Sequence, residues 1–191
     1  MKLFGRSETF IEIYDDTLTQ KECDIIISRF EKSSSLQEGK VSNKFGLVVD
    51  HSYKKCTEIE SPLFSQKDVI STIILPSLTS CVDKYYKKHH ALQYSAEHNI
   101  CNQYNVQKYE TEDDGFKQWH TEHCVSESWR ILAWMIYLND AKSGTEFMSY
   151  PTVQAKKGRC VIWPAGFTHT HRGVPNKGIK YIATGWVSFV T

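Results

Sequence analysis

Residues 99–189 alternate short apolar or aromatic runs with turn residues, and this punctuation constrains the fold more than any other feature. The stretch from Ile100 through Tyr104 and Val106 to Tyr109 alternates with a period near two, as a strand with one buried face does. An acidic turn over 110–115 follows, then a strongly apolar and aromatic run over 130–138 and a polar turn over 139–144. Further short strands are predicted over 146–150, 152–155, 159–163 and 180–189, with Gly158 and Gly178 as turn residues. Many short strands joined by turns predict a sandwich or jelly roll.

The first half reads differently. A strand is predicted over 9–14, broken by Asp15-Asp16. Thr19 and Glu22 form a capping box, and the helix behind it carries Cys23, Ile26, Ile27 and Phe30 on one face. Residues 45–49 form a short strand or buried loop. A second helix is predicted over 65–89, with Val69, Ile73, Ile74, Cys81, Val82 and Tyr85 in an approximate stripe and Pro76 expected to kink or split it. The expected fold is mostly β with N-terminal helices bracing a barrel. It is read as a single domain over 1–191, with 1–98 mainly helical support and first strands and 99–191 the β core. A chain of 191 residues can bury one sizeable core, and no linker or repeat divides it.

Several function classes lose support at this point. A formal net charge of +1 and the absence of a basic stripe disfavour nucleic acid as a partner. The densest basic patch, over 84–90, reads as the wet end of a helix. Six scattered cysteines with no CxxC pair give no zinc ribbon or thioredoxin motif, and they suit a reducing cytoplasm. The N-terminus has no apolar run like that of a signal peptide, and the longest apolar stretch, 69–75, is too short to span a bilayer.

The chemistry centres on His120 and Glu122. On a strand, residues two apart face the same side, so an imidazole and a carboxylate would converge as part of an iron-binding facial triad. Fe(II) suits the mixed nitrogen and oxygen donors, and Zn(II) could occupy them too. The third ligand is His169 or His171, which share strand parity, so periodicity does not choose between them. His123 has the opposite parity and reads as supporting or solvated. Asp113 and Asp114 read as turn residues, and the Cys124 thiolate is a poor partner for cycling iron. An isolated His-x-Glu is a weak signal, and its weight comes from its surroundings.

With those surroundings, residues 104–189 resemble the Fe(II)/2-oxoglutarate-dependent dioxygenases, and within them the prolyl 4-hydroxylase-like branch. Tyr109 and Asp113-Asp114-Gly115 precede His120-Thr121-Glu122. Arg130 lies seven residues before Tyr137-Leu138-Asn139, and Gly144-Thr145-Glu146-Phe147 follows. Trp163-Pro164, His171, Pro175, Gly178 and Lys180 complete the pattern in order. Glutamate stands where aspartate is more usual, so the arm is longer and must fold back. The stretch from Pro175 to Lys180 is slightly short for the family, which keeps His169 open beside the preferred His171.

The resemblance implies a double-stranded β-helix, or jelly roll, with the metal near one open end. It implies Fe(II) as cofactor, 2-oxoglutarate as co-substrate and ascorbate as reductant. The implied reaction releases succinate and carbon dioxide and hydroxylates an unactivated carbon. His120, Glu122 and His171 (or His169) would hold iron. Lys180 would pair with the C5 carboxylate of 2-oxoglutarate, with Tyr109 and Tyr137 as hydroxyl donors to it. Trp163 or Trp186 would wall the cavity, and Arg130 would tie down a loop or meet substrate at the rim. Thr145, Glu146 and Arg172 are candidates for substrate or supporting contacts. The expected substrate is a prolyl or other peptidyl side chain. The alternatives are a free amino acid or small metabolite, or a catalytically silent jelly roll that binds metal or a ligand. A plain zinc hydrolase has the least support.

Overall fold

The computed structural model describes residues 8–43, 46–124 and 127–190. The expectations for the first residues of the chain and for Phe45 fall outside that set. In chain order the first half holds β1 (Glu12–Tyr14), α1 (Gln20–Glu31), β2 (Gln37–Glu38), β3 (Val41–Asn43), β4 (Gly46–Val48), β5 (Lys54–Lys55), β6 (Thr57–Pro62) and α2 (Val69–Lys88). The second half holds β7 (His98–Tyr109), β8 (Gly115–Phe116), β9 (Arg130–Tyr137), β10 (Gly144–Phe147), β11 (Tyr150–Gln154), β12 (Cys160–Pro164), β13 (His171–Gly173) and β14 (Lys180–Phe189). Short 3-10 turns lie at His90–Tyr94 and Phe167–His169.

Two sheets carry the fold. The larger has the order β1-β12-β9-β14-β7-β6-β2, and the smaller has the order β11-β10-β13. Alternation along the central strands sorts side chains between two cores. On β9, Leu132, Trp134 and Ile136 point to the helices, while Ala133 and Tyr137 point to the smaller sheet. Cys160 and Ile162 against Val161 and Trp163 repeat the division on β12. Phe147 and Val153 close the second core from the smaller sheet. This is the expected jelly roll, braced on one face by α1 and α2.

Both helices form for local reasons. Thr19 Oγ1 accepts from Glu22 N while Glu22 Oε2 accepts from Thr19 N, so the predicted capping box is present. Cys23, Ile26 and Phe30 are buried beneath α1. Asp68 caps α2, accepting from Ile70 N and Ser71 N, which is why that helix starts at Val69 rather than Ser65. Pro76 does not split it. α2 runs unbroken through the proline because Ile70, Ile74, Leu78, Cys81, Val82 and Tyr85 are buried along one side. That burial outweighs a local cost of about 3 kcal/mol.

β6 was not anticipated and is the main addition to the sequence reading. It pairs with β7 from Thr57↔Lys108 to Pro62↔Gln103 and widens the larger sheet. Its Thr-Glu-Ile-Glu run has only one apolar residue, so the alternation is hard to see. At the other end, the first strand is shorter than predicted, because Phe10 takes a positive φ of 53°. Gly158, in the turn before β12, has φ +77°, and a Cβ there would collide with the Leu18 carbonyl. No helix among the described residues is long and apolar enough to cross a membrane.

Candidate metal centre and adjoining cavity

His120 and Glu122 do not lie on a regular strand, contrary to the parity argument. They sit in the segment between β8 and β9, where two separate partners straighten the chain. His120 N donates to His171 O at 3.0 Å and His171 N donates back to His120 O at 2.9 Å. Two residues on, Glu122 N donates to Ala165 O at 3.1 Å. This pairing turns both side chains the same way, toward His171 on β13.

Donor atoms of His120, Glu122 and His171 all lie within 4.8 Å of one another, the one such cluster of histidine, cysteine or carboxylate groups among the described residues. The Nδ1 of His120 lies 3.0 Å from Gln118 O, and the Nδ1 of His171 lies 2.9 Å from His169 O. A carbonyl only accepts, so both Nδ1 atoms carry the proton and both Nε2 lone pairs are left for a ligand. Glu122 Oε1 is 3.2 Å from His171 Nε2, and Glu122 Oε2 accepts from Trp186 Nε1 at 2.7 Å. Phe116 stacks on the His120 ring at 3.5 Å between centroids and sets its plane.

The electrostatics suit a cation. Burial, and then the neighbouring His171, push His120 down to about 3, so it is neutral near pH 7. Burial opposes ionisation of Glu122, but contacts with His171, His120 and the Trp186 N–H outweigh it and hold the carboxyl at about 2. Two imidazoles and one carboxylate on one side of a cavity form a set with open positions. Those residues fit an Fe(II) ion.

His169 is not part of the cluster. It lies in the Phe167–His169 turn, its Nε2 2.7 Å from Thr9 O and its ring stacked 4.9 Å from Tyr150. Thr168 Oγ1 occupies its other nitrogen at 2.9 Å. His123 is exposed, with Nε2 2.6 Å from Arg130 O. Asp113 pairs with Lys55 and Lys117, and Asp114 closes the 110–114 turn by accepting from Glu110 N and Thr111 N.

A cavity of about 400 Å³ opens from the cluster. Lys180, Ile182, Thr184 and Trp186, alternate residues of β14, all line it. Gln103, Asn105, Gln107 and Tyr109 do the same from β7. Lys180 is buried, donates to Ser143 Oγ at 2.9 Å and lies 4.8 Å from the centre of the Tyr109 ring. Burial alone pushes its ammonium down to about 8.

The hydroxyls of the two candidate tyrosines have partners within the protein. Tyr137 is fully buried, and its hydroxyl is 2.7 Å from Thr145 Oγ1 instead of facing the cavity. Tyr109 does line the cavity, but its hydroxyl donates to Gln107 Oε1 at 2.7 Å. The direction is fixed because Gln107 Nε2 donates to the Glu58 carboxylate at 2.9 Å, leaving only the amide oxygen for Tyr109. Glu58 in turn accepts from Lys54 at 2.6 Å, a buried ion pair within the cavity lining. Arg172 pairs with Glu146 at 2.8 Å across β10 and β13, with its guanidinium over Trp119.

Sequence reasoning missed the Lys54–Glu58–Gln107 network, since β6 itself was missed. It also missed the indole of Trp186 as a partner of Glu122. Parity with Lys180 along β14 was the available signal for that residue.

With this geometry in place, comparisons with known proteins are informative. Residues 104–188 match the model of the 2OG-Fe(II) oxygenase superfamily. No curated protein matches the sequence. The fold resembles the viral collagen prolyl hydroxylase of Paramecium Bursaria Chlorella virus-1, with a TM-score of 0.68 and 16% identity over 95% of this chain and 97% of that one. A Trichoplax adhaerens prolyl hydroxylase, solved with a hypoxia inducible factor oxygen degradation domain peptide fragment, gives 0.72 and 13% over 94% and 84%. A Pseudomonas putida prolyl-4-hydroxylase gives 0.69 and 9% over 96% and 94%. At these identities the likeness concerns the fold.

Proposed function

We propose that the chain, which matches the 2OG-Fe(II) oxygenase superfamily over residues 104–188, is a hydroxylase-type dioxygenase of that superfamily and acts on a prolyl or other peptidyl side chain. His120, Glu122 and His171 are the proposed iron ligands, and Lys180 is the proposed anchor for the distal carboxylate of 2-oxoglutarate. One observation carries this reading. Three converging donors line the same cavity as a buried ammonium that has no anionic partner among the described residues. When bound, the iron and 2-oxoglutarate supply the oxidising power, coupling release of succinate and carbon dioxide to hydroxylation of the substrate.

The residues divide the remaining work. With the Nδ1 protons of His120 and His171 held by backbone carbonyls, their Nε2 atoms are the ones that would bind the metal. Glu122 supplies the negative charge. Lys180 is costly to bury alone, and a carboxylate arriving at it would offset that cost. Ser143 Oγ accepts from Lys180 and donates its own proton to Val174 O, which holds the ammonium in place. Tyr109 offers Lys180 its ring face rather than its hydroxyl. Trp186 and Met135 help wall the cavity.

A peptide substrate is supported by the cavity's carboxamides. Gln103 and Asn105 stand two apart on β7 and bring donors and acceptors to one wall, while both ends of the next carboxamide, Gln107, are taken by Glu58 and Tyr109. The three related structures are described as prolyl hydroxylases. The test is succinate release with Fe(II), 2-oxoglutarate and ascorbate across proline-containing peptides, free amino acids and oligonucleotides, with mass detection of one added oxygen atom. Turnover on peptides alone is expected. Turnover on free amino acids alone would move the substrate to the small-metabolite class. No coupled turnover on any of them, in folded protein that binds metal, would favour a silent ligand-binding jelly roll.

A further inference from the structure

The carboxylate of Glu122 is held at both ends. Oε1 faces the imidazoles, 3.2 Å from His171 Nε2, while Oε2 accepts from Trp186 Nε1 at 2.7 Å. Indole nitrogen is a donor only, so this bond has one direction and leaves the charge intact. Trp186 is itself pinned. The Arg130 guanidinium lies over its ring at 3.5 Å, and Arg130 NH2 pairs with Glu127 Oε2 at 3.1 Å. Arg130 NH1 also reaches the Glu122 backbone carbonyl, at 3.5 Å. On β14 the register with β7 shifts around Trp186, and its partner on β9 is the small Ala133.

The longer arm gives this clamp a chemical purpose. A glutamate can swing to give a metal both oxygens. Around a six-coordinate ion, three single-atom protein ligands leave three positions. A chelating co-substrate takes two, and one must stay open. A second oxygen from Glu122 would fill it. We infer that Trp186 is a positioning residue that, by holding Oε2, keeps Glu122 a one-oxygen ligand. The inference rests on the metal assignment proposed above.

Trp186→Phe keeps a ring for Arg130 and removes only the donor. In the Mn(II)-loaded protein, water-proton relaxation per bound ion counts the waters on the metal. The variant is expected to lose about a third of that relaxivity, three waters becoming two. Its 2-oxoglutarate affinity should fall about tenfold, with Mn(II) affinity unchanged or tighter. Equal relaxivity in the wild type and Trp186→Phe overturns the inference. Wild type that binds Mn(II) but not 2-oxoglutarate removes the proposed function, and the relaxivity comparison still decides the role of Trp186. If Trp186→Phe does not fold, amide-type exchange of the indole protons in the Zn(II)-loaded wild type replaces it. Slow exchange at Trp186 relative to the half-exposed Trp129 is expected, and comparable rates overturn the inference.

Discussion

Lys180 Nζ lies 2.9 Å from Ser143 Oγ, and among the described residues it has no carboxylate partner. Its ammonium is held at about 8 by burial against an ordinary 10.5. Between those values the unfolded chain binds a proton that the folded chain does not, so stability rises with pH from about 8 to 10.5. Below 8 both states are charged and the full burial cost remains. Lys180→Met should therefore stabilise the ligand-free protein by about 3 kcal/mol at pH 7, a gain that shrinks toward pH 10.5. The same variant should lose 2-oxoglutarate binding. Urea unfolding across pH, with and without 2-oxoglutarate, checks both. A destabilised variant, or one still protected by 2-oxoglutarate, would contradict the expectation.

The two candidate distal histidines should separate cleanly. His171→Ala is expected to abolish tight metal binding and succinate release. His169→Ala removes a ring buried between Tyr150 and the Thr9 carbonyl, and it should cost about 1–3 kcal/mol of stability while metal still binds. Metal titration and thermal unfolding of each variant give the two readouts.

The sequence reading of these histidines shows where legibility ends. His120 and Glu122 were identifiable from spacing, although the regular strand assumed for them is absent. Parity left His169 and His171 equivalent, because parity presumes a continuous strand. A 3-10 turn ends at His169 and β13 begins at His171, so the equivalence is broken by backbone geometry that spacing does not encode. The strands that alternate strongly, β7, β9 and β14, were located nearly to the residue. β6 was not, because glutamates and a serine dilute its pattern. The contact between Trp186 and Glu122 needs a strand and a distant loop to meet, which no local signal reports.

The Lys54–Glu58 pair is part of the cavity lining, beside Gln107. Glu58 accepts from Lys54, from Gln107 Nε2 and from Lys40 N at 3.1 Å. Glu58→Leu would leave a buried ammonium and two donors without their acceptor, and a loss of about 3–5 kcal/mol is expected. Lys54→Met combined with Glu58→Leu should recover much of it, since no unpaired charge remains. The double variant would also free Gln107 to turn, and with it Tyr109 beside Lys180, so KM for 2-oxoglutarate should rise more than kcat falls. Denaturant midpoints and steady-state kinetics on the three proteins test this.

Pro76 offers a stability gain remote from the cavity. It is exposed on α2, and the helix continues through it without the amide hydrogen bond that any other residue would supply. Alanine would restore that bond to the Thr72 carbonyl and remove the ring's clash, worth about 3 kcal/mol. The unfolded chain would gain freedom, offsetting about 0.4–1 kcal/mol. Pro76→Ala should thus stabilise the protein by about 2 kcal/mol with metal affinity unchanged. A lower melting temperature in Pro76→Ala would mean that the proline's own contacts on α2 outweigh the missing backbone bond.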